Sequence, residues 1–202
     1  MAQGARLTSD KLPPVVFSEP PEGVAAVPTE LRVGERGHLI EVAWETCNPI
    51  GGIYQVIRSK APAMVERWGD RYCLVGPWNS SQAALEFEEI APFGPIGRAV
   101  EALRSEGLGI RFGRWMISGR PLTVLIDHWQ GTGHLDAVKY RLFKDHAIST
   151  PPGDALMDGV ITFSDAVLRL ITRISEHGSS SGPIIGHFHE WMGGLAIPMI
   201  RH

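Results

Sequence analysis

The 202-residue sequence contains few cysteines and has no long hydrophobic or basic run. Its two cysteines, Cys47 and Cys73, lie at no spacing typical of a metal site, and we expect both to be reduced thiols of a cytoplasmic protein. No apolar run approaches the roughly 20 residues that span a bilayer, and no apolar signal core follows the first residues. Lysine and arginine are dispersed, so neither a membrane nor a nucleic acid is expected as a partner.

What is present is an ordinary globular composition, with 44% apolar residues, 20% charged residues and a formal net charge of −3. A chain of this length can bury the core of one good-sized domain. Residues 1–36 are interrupted by five prolines, Pro13, Pro14, Pro20, Pro21 and Pro28. This composition predicts a proline-rich extension over residues 1–36 and a folded domain over residues 37–202.

Strand-like segments recur along the second region. Residues 38–43 and 72–75 have strand length and strand composition, and residues 182–189 read as a further buried strand. Residues 109–116 and 121–127 are two more apolar runs that are separated only by a short polar turn. We expect these last two runs to lie close together in space.

The first predicted helix covers residues 52–68, where apolar side chains, among them Val56, recur at helical spacing. Pro62 falls inside this segment. A proline in a helix removes one backbone hydrogen bond and clashes with the preceding turn, so we expect it to kink or interrupt this helix.

Three further helices are predicted, over residues 95–106, over residues 154–176 and from Glu190 onward. Leu156 belongs to the apolar stripe of the second, and Asp154 is suited to cap its N-terminus. Strands that alternate with helices predict an α/β fold, a Rossmann-like and mostly parallel sheet with helices on both faces. In such sheets ligands bind at the carboxyl ends of the strands.

One candidate site follows the first strand, where Asn48 precedes the paired glycines Gly51 and Gly52. Glycines at a helix start allow a ligand to approach the backbone, and unpaired N–H groups there meet the positive end of the helix dipole. This arrangement is typical of a site for a phosphate-bearing or sugar-bearing substrate. A purely structural turn remains the alternative.

A second candidate site is the run from His187 to Glu190, which ends the last strand. His187 and His189 are two residues apart, so their side chains are expected to project the same way. A metal pair with Glu190 nearby is one interpretation. Two histidines are too few for zinc and no other ligand has suitable spacing in the sequence, so no metal is expected.

Taken in order, these motifs resemble the glycogen synthases of animals and fungi, a family of retaining glucosyltransferases. The principal matching runs are Glu41-Val42-Ala43-Trp44-Glu45, Ile50-Gly51-Gly52-Ile53-Tyr54, Trp68-Gly69-Asp70, Leu74-Val75-Gly76-Pro77, Phe112-Gly113-Arg114-Trp115 and His187-Phe188-His189-Glu190-Trp191. The resemblance implies a two-domain enzyme of the GT-B architecture with its active site between twin Rossmann-like halves. This chain corresponds to the N-terminal, acceptor-side half, and we expect it to be a piece of a longer protein.

The resemblance also implies roles for individual residues. Donor binding is implied for three of them, Asn48, Gly51 and Gly52. His189 is the implied catalytic residue, stabilising an oxocarbenium-like transition state partly through its carbonyl oxygen. Three acids are candidate cleft residues: Glu190, Asp127 and Asp154.

The implied reaction transfers glucose from a nucleotide-glucose, UDP-glucose in the first instance, to an α-1,4-glucan without a cofactor. The donor-binding half is missing, so this chain alone is expected to be inactive, and the full-length parent is expected to form oligomers. Pro49 stands where the family usually has lysine or arginine, which removes a charge-assisted contact to phosphate. Two alternatives stay open: another retaining GT-B glycosyltransferase, and a non-catalytic module that binds glucan or regulates an enzyme.

Overall fold

The computed structural model describes residues 37–177 and 182–200. The predicted proline-rich extension, residues 1–36, lies outside them. Six strands are present within these ranges: β1 (His38–Val42), β2 (Tyr72–Pro77), β3 (Phe87–Glu89), β4 (Ile110–Trp115), β5 (Leu122–Ile126) and β6 (Ile184–Phe188). They form one sheet in the order β3-β4-β5-β2-β1-β6.

The sheet is mostly parallel. β1 pairs in parallel with both β2 and β6, and β2 pairs in parallel with β5. β3 and β4 add an antiparallel pair beside β5. From β1 the chain passes first to β2 on one side and finally to β6 on the other. The order of the parallel strands therefore reverses between β1 and β6, which is where ligands bind in open α/β sheets.

Seven α-helices surround the sheet in the described part of the chain: α1 (Gly52–Trp68), α2 (Ser80–Glu86), α3 (Gly94–Ser105), α4 (Leu135–His146), α5 (Ala155–His177), α6 (Glu190–Gly194) and α7 (Ala196–Ile200). Two short 3₁₀-helices cover Gly69–Arg71 and His128–His134. Apolar residues of α3, α5 and α7 pack on one face of the sheet. Those of α1 and α2 pack on the other face. The predicted α/β fold with helices on both faces is confirmed.

Two local features differ from expectation: α1 is not interrupted at Pro62, and β6 is not buried. α1 runs through Pro62 without interruption, because Ile57 and Ala61 are fully buried against the sheet while Pro62 itself is exposed. A proline has no N–H to donate, so the carbonyl one helical turn earlier has no intrahelical hydrogen bond. On the exposed side of α1, water can bind that carbonyl. The strand expected to be buried, β6, is half-exposed, because it forms the edge of the sheet and pairs with β1 alone among the described strands.

α2, β3 and α4 were not predicted, because they lie in short or weakly periodic segments of the sequence. No helix within the described ranges is both long and apolar enough to cross a membrane.

Candidate functional site

The loop that joins β1 to α1 is organised by Glu45. Its buried carboxylate accepts a hydrogen bond from the backbone N–H of Tyr54 at 2.8 Å, so one of the free N–H groups at the start of α1 already has a partner. A Cβ atom on Gly51 would lie 2.7 Å from Oε1 of Glu45, whereas one on Gly52 would meet no atom within 4 Å. Both glycines are exposed, and they form the outer rim of the loop.

Asn48 holds this loop in place. Its side chain is buried, its Nδ2 donates to the carbonyl of Trp44 at 3.3 Å, and its Oδ1 accepts from Nδ2 of Asn79 at 3.5 Å. Asn79 follows β2 and caps α2. Asn48 therefore ties together the loops at the carboxyl ends of β1 and β2.

Beneath the loop, β1 carries a fully buried glutamate, Glu41. Tyr72 donates its hydroxyl to Oε2 at 2.6 Å, and the Nζ atom of Lys60 lies 2.5 Å from Oε1. The Nε2 atom of His189 also lies 2.5 Å from Oε1. One carboxylate thus links β1, β2, α1 and the end of β6.

The charge of Glu41 is stabilised by these partners. Burial alone would raise the pKa of the Glu41 carboxyl, but hydrogen bonds from His189, Lys60 and Tyr72 lower it to about 2. Burial and the neighbouring Glu41 charge raise the pKa of the Tyr72 hydroxyl. Glu41 is therefore ionised at neutral pH, and it accepts hydrogen bonds from a neutral phenol and a charged ammonium.

The two histidines lie on the same side of β6 and its end, as expected from their spacing, with ring centroids 4.5 Å apart. A third potential ligand, which the sequence spacing does not indicate, lies near them. One potential ligand atom each from Glu41, His187 and His189 lies within 4.8 Å of the others, because β6 places His187 opposite Glu41 on β1. The Lys60 ammonium already supplies a positive charge to this carboxylate, and it would repel a metal cation there.

His189 directly follows β6 and is fixed through its backbone as well as its ring. Its N–H donates to the carbonyl of Val42 at 3.0 Å, and its own carbonyl accepts from Gly193 at 3.1 Å. The next residue, Glu190, is exposed and begins α6 with a φ of 54°, a left-handed conformation that is uncommon outside glycine. Such strained positions often occur at functional sites.

The two candidate sites meet. Glu45 and Ile53, from the loop and first turn of α1, line a narrow crevice together with His189 and Glu190. The structure therefore brings Glu45 and Ile53, which adjoin the Gly51-Gly52 rim, next to His189.

The two remaining acids lie elsewhere. Asp127 follows β5 and lines a separate cavity of about 350 Å³ with Glu89 and Arg104. Asp154 precedes α5, and its Oδ1 accepts from the N–H of Met157 at 3.0 Å. The capping position expected for Asp154 is confirmed, and neither acid lines the crevice.

Three residues that organise this site were not among the predicted site residues: Glu41, Lys60 and Tyr72. A glutamate within an otherwise apolar strand is itself a signal, because a buried charge requires a partner. The identity of that partner is not visible in the sequence, since Lys60 lies on a helix and Tyr72 lies on the neighbouring strand.

Comparison with known proteins places this arrangement in a family. A family model described as glycogen synthase matches residues 41–202. The glycogen (starch) synthase of Neurospora crassa is 38% identical over 168 residues, which are 82% of this chain and 24% of that protein.

Two other relatives agree. Isoform 1 of the glycogen (starch) synthase of Saccharomyces cerevisiae is 35% identical, covering 81% of this chain and 24% of that protein. The liver glycogen (starch) synthase of Homo sapiens is 32% identical, covering 81% of this chain and 23% of that protein. The chain therefore spans about a quarter of the length of the curated relatives that it matches.

Proposed function

The chain belongs to the glycogen synthase family, and on that premise we propose that its parent transfers glucose, with retention, from a nucleotide-glucose to an α-1,4-glucan. Residues 37–202 form the acceptor-side half of a two-domain GT-B enzyme. The observation that carries this proposal is the position of His189, held by buried Glu41 at the strand-order reversal beside the Gly51-Gly52 rim.

His189 is the catalytic residue of the proposal. Because Glu41 is ionised and can only accept, the hydrogen between the two side chains belongs to Nε2 of His189. The ring therefore has one fixed orientation. The bond from Gly193 holds the His189 carbonyl in place, and a carbonyl oxygen has a second lone pair for the positive charge that develops on the transferred glucose.

The loop before α1 contributes to donor binding. Gly51 and Gly52 are exposed, so the diphosphate of the donor can approach their backbone closely. The Glu45 carboxylate beneath the loop reduces the positive potential at the N-terminus of α1. Pro49 has no charged side chain that could pair with a phosphate. The parent's second half must therefore supply most of the positive charge for the donor. Asn48 acts by fixing the loop, because its buried amide is already bonded.

The acids are assigned by their positions. Glu190 lies on the rim of the crevice on the acceptor side. Asp127 and Asp154 serve the fold or a more distant part of the cleft. We assign the parent to the cytoplasm, where the free buried thiols Cys47 and Cys73 would stay reduced, and we expect it to act as an oligomer.

The test is an assay of the full-length protein with UDP-glucose and ADP-glucose on glycogen, measuring glucose incorporation. Retention of configuration and preference for one nucleotide are expected, with no turnover by this chain alone. Transfer to a different acceptor would favour another retaining GT-B enzyme. That alternative is considered because Pro49 stands where the family usually has lysine or arginine. Glycogen binding without any transfer would favour the non-catalytic module.

A further inference from the structure

Lys60 connects α1 to the candidate site without lining the crevice. Its side chain is only 27% exposed, and two of its neighbours on the helix, Ile57 and Ala61, are fully buried against the sheet. The Nζ atom lies 2.5 Å from Oε1 of Glu41 on β1. The described residues that line the crevice do not include Lys60. An influence of Lys60 on the reaction must therefore pass through Glu41.

The two oxygens of the Glu41 carboxylate have different partners. Oε2 accepts from the Tyr72 hydroxyl at 2.6 Å. Oε1 lies 2.5 Å from both the Lys60 ammonium and Nε2 of His189. A carboxylate that is bonded at both oxygens cannot rotate away from the imidazole without losing these contacts. Lys60 thus shares a single acceptor atom with His189, and it helps to fix the direction of the hydrogen bond from the ring.

The two donors on Oε1 differ in the charge that they bring. Lys60 carries a full positive charge, and it lowers the pKa of the Glu41 carboxyl both through its hydrogen bond and through that charge. A neutral imidazole contributes a hydrogen bond alone. A buried carboxylate requires a compensating charge, and Lys60 supplies it. The ring of His189 therefore does not need to bind a second proton.

The other titratable groups around the carboxylate are not suited to replace Lys60. Burial raises the pKa of the Tyr72 hydroxyl, so this group stays neutral. His187 on β6 has its Nδ1 atom 3.8 Å from Oε1, and burial lowers the pKa of its ring, so it is neutral at pH 7. Within the described ranges, these two residues, Lys60 and His189 are the titratable contacts of Glu41. Without Lys60, His189 is the nearest group that can become a cation.

The location of the positive charge matters for the chemistry, which rests on the proposed function. An oxocarbenium-like transition state develops positive charge on the transferred glucose. His189 lines the crevice, so an imidazolium there would repel that charge at short range. An ammonium on Lys60 compensates the same carboxylate from outside the crevice. The backbone carbonyl of His189 can then stabilise the glucose without an opposing charge beside it.

We propose that Lys60 is a positioning residue that acts through Glu41 to keep the His189 ring neutral and correctly oriented. Two consequences distinguish this role from simple stabilisation of the fold. The positive charge at position 60 matters more than the shape of the side chain. Its loss changes the protonation of a ring that Lys60 itself does not touch.

Kinetics of the full-length protein with UDP-glucose and glycogen test the first consequence. Lys60→Met should lower kcat by about tenfold or more and change KM less than about twofold, because substrate contacts are retained. Lys60→Arg keeps the charge and should retain kcat within about threefold. Lys139→Met is the matched control. Lys139 on α4 lies 2.5 Å from Oδ1 of Asp158 with its side chain 20% exposed, and its loss should leave kcat unchanged.

Nitrogen-15 NMR of the 202-residue chain at pH 7 tests the second consequence. The His189 ring should carry one proton in the unsubstituted chain and two in Lys60→Met. The double variant Glu41→Gln/Lys60→Met removes both charges, so it should restore the ring with one proton and part of the lost kcat. This measurement needs no catalysis, so it tests the role of Lys60 even if the parent does not transfer glucose.

Three results would overturn the proposal: an unchanged kcat in Lys60→Met, a His189 ring that keeps one proton in that variant, or an equal loss of kcat in Lys139→Met. The last result would show a general effect of losing a partly buried ion pair. Circular dichroism verifies that each variant folds. If Lys60→Met does not fold, Lys60→Gln replaces it with the same expected results, because glutamine keeps a hydrogen-bond donor but no charge.

Discussion

The Nε2 atom of His189 lies 2.5 Å from the Oε1 atom of Glu41, although 148 positions separate the two residues in the sequence. Glu41 lies on β1, the first of the described strands, and His189 directly follows β6, the last of them. The addition of the edge strand therefore also supplies a hydrogen-bond partner to the buried carboxylate. The fold and the candidate site depend on the same contact.

The first prediction concerns acid stability. The folded pKa of Glu41, about 2, lies below its ordinary value of 4.5. The ionised carboxylate therefore stabilises the fold above about pH 4.5, and this contribution is lost as pH falls toward about 2. The difference between these pKa values corresponds to about 3 kcal/mol.

Urea unfolding of the chain and of Glu41→Gln, between about pH 6 and pH 3, measures this contribution. The variant should be less stable by a few kcal/mol near pH 6, since it also leaves Lys60 without its partner. The two stabilities should converge as the solution becomes acidic. A difference that stays constant over this range would show that Glu41 is not the responsible group.

The second prediction compares the paired glycines. Gly51→Ala should destabilise the chain by about 1 kcal/mol, because the new methyl group would lie 2.7 Å from the Glu45 carboxylate and displace it from its hydrogen bond with the Tyr54 N–H. Gly52→Ala meets open space at the first residue of α1 and should stabilise the chain by about 0.4–1 kcal/mol. Urea midpoints of the two variants test the expected opposite signs, and equal effects would contradict the loop geometry.

The third prediction concerns the junction of α6 with β1. A Cβ atom at Gly193 would lie 2.9 Å from the Val42 carbonyl oxygen, whereas one at Gly194 meets only Ile197 at 3.7 Å. Gly193→Ala should therefore lower the thermal midpoint by several degrees for a loss of about 1–3 kcal/mol, while Gly194→Ala should change it little. Similar midpoints for both variants would argue against close packing of α6 on β1.

The fourth prediction concerns thiol reactivity. Cys47 and Cys73 are buried free cysteines, and burial raises the pKa of both thiols. Because the thiolate is the reactive form, neither should react with a disulfide reagent in the folded chain, and both should react after denaturation. Rapid modification of one thiol under native conditions would place that cysteine at an accessible position.

The elements predicted best from the sequence are those whose apolar spacing lies within a single segment. α1 has the predicted bounds because its apolar stripe begins directly after paired glycines. The prediction of β6 was correct in position but wrong in burial, since composition does not distinguish an edge strand from a central one. Val56 and Leu156 fit their predicted stripes and are nevertheless exposed, because helical spacing alone does not fix the width of the buried face.

The candidate site was predictable only in part. Strand-end positions and the family resemblance indicated the rim at Gly51 and the end of β6 at His189. The partners Lys60 and Tyr72, which hold Glu41 ionised, were not predictable, because strand register and the side of the sheet covered by a helix are tertiary features.

The catalytic role of His189 is tested by the kinetic effect of His189→Ala in the full-length protein, with UDP-glucose and glycogen as substrates. We expect kcat to fall about a hundredfold, roughly 3 kcal/mol, with little change in KM, because the contact forms chiefly in the transition state. His177→Ala, at an exposed position near the end of α5, serves as the matched control and should keep kcat. If His189→Ala keeps its kcat and only KM rises, His189 binds the ground state and the proposed catalytic role is wrong.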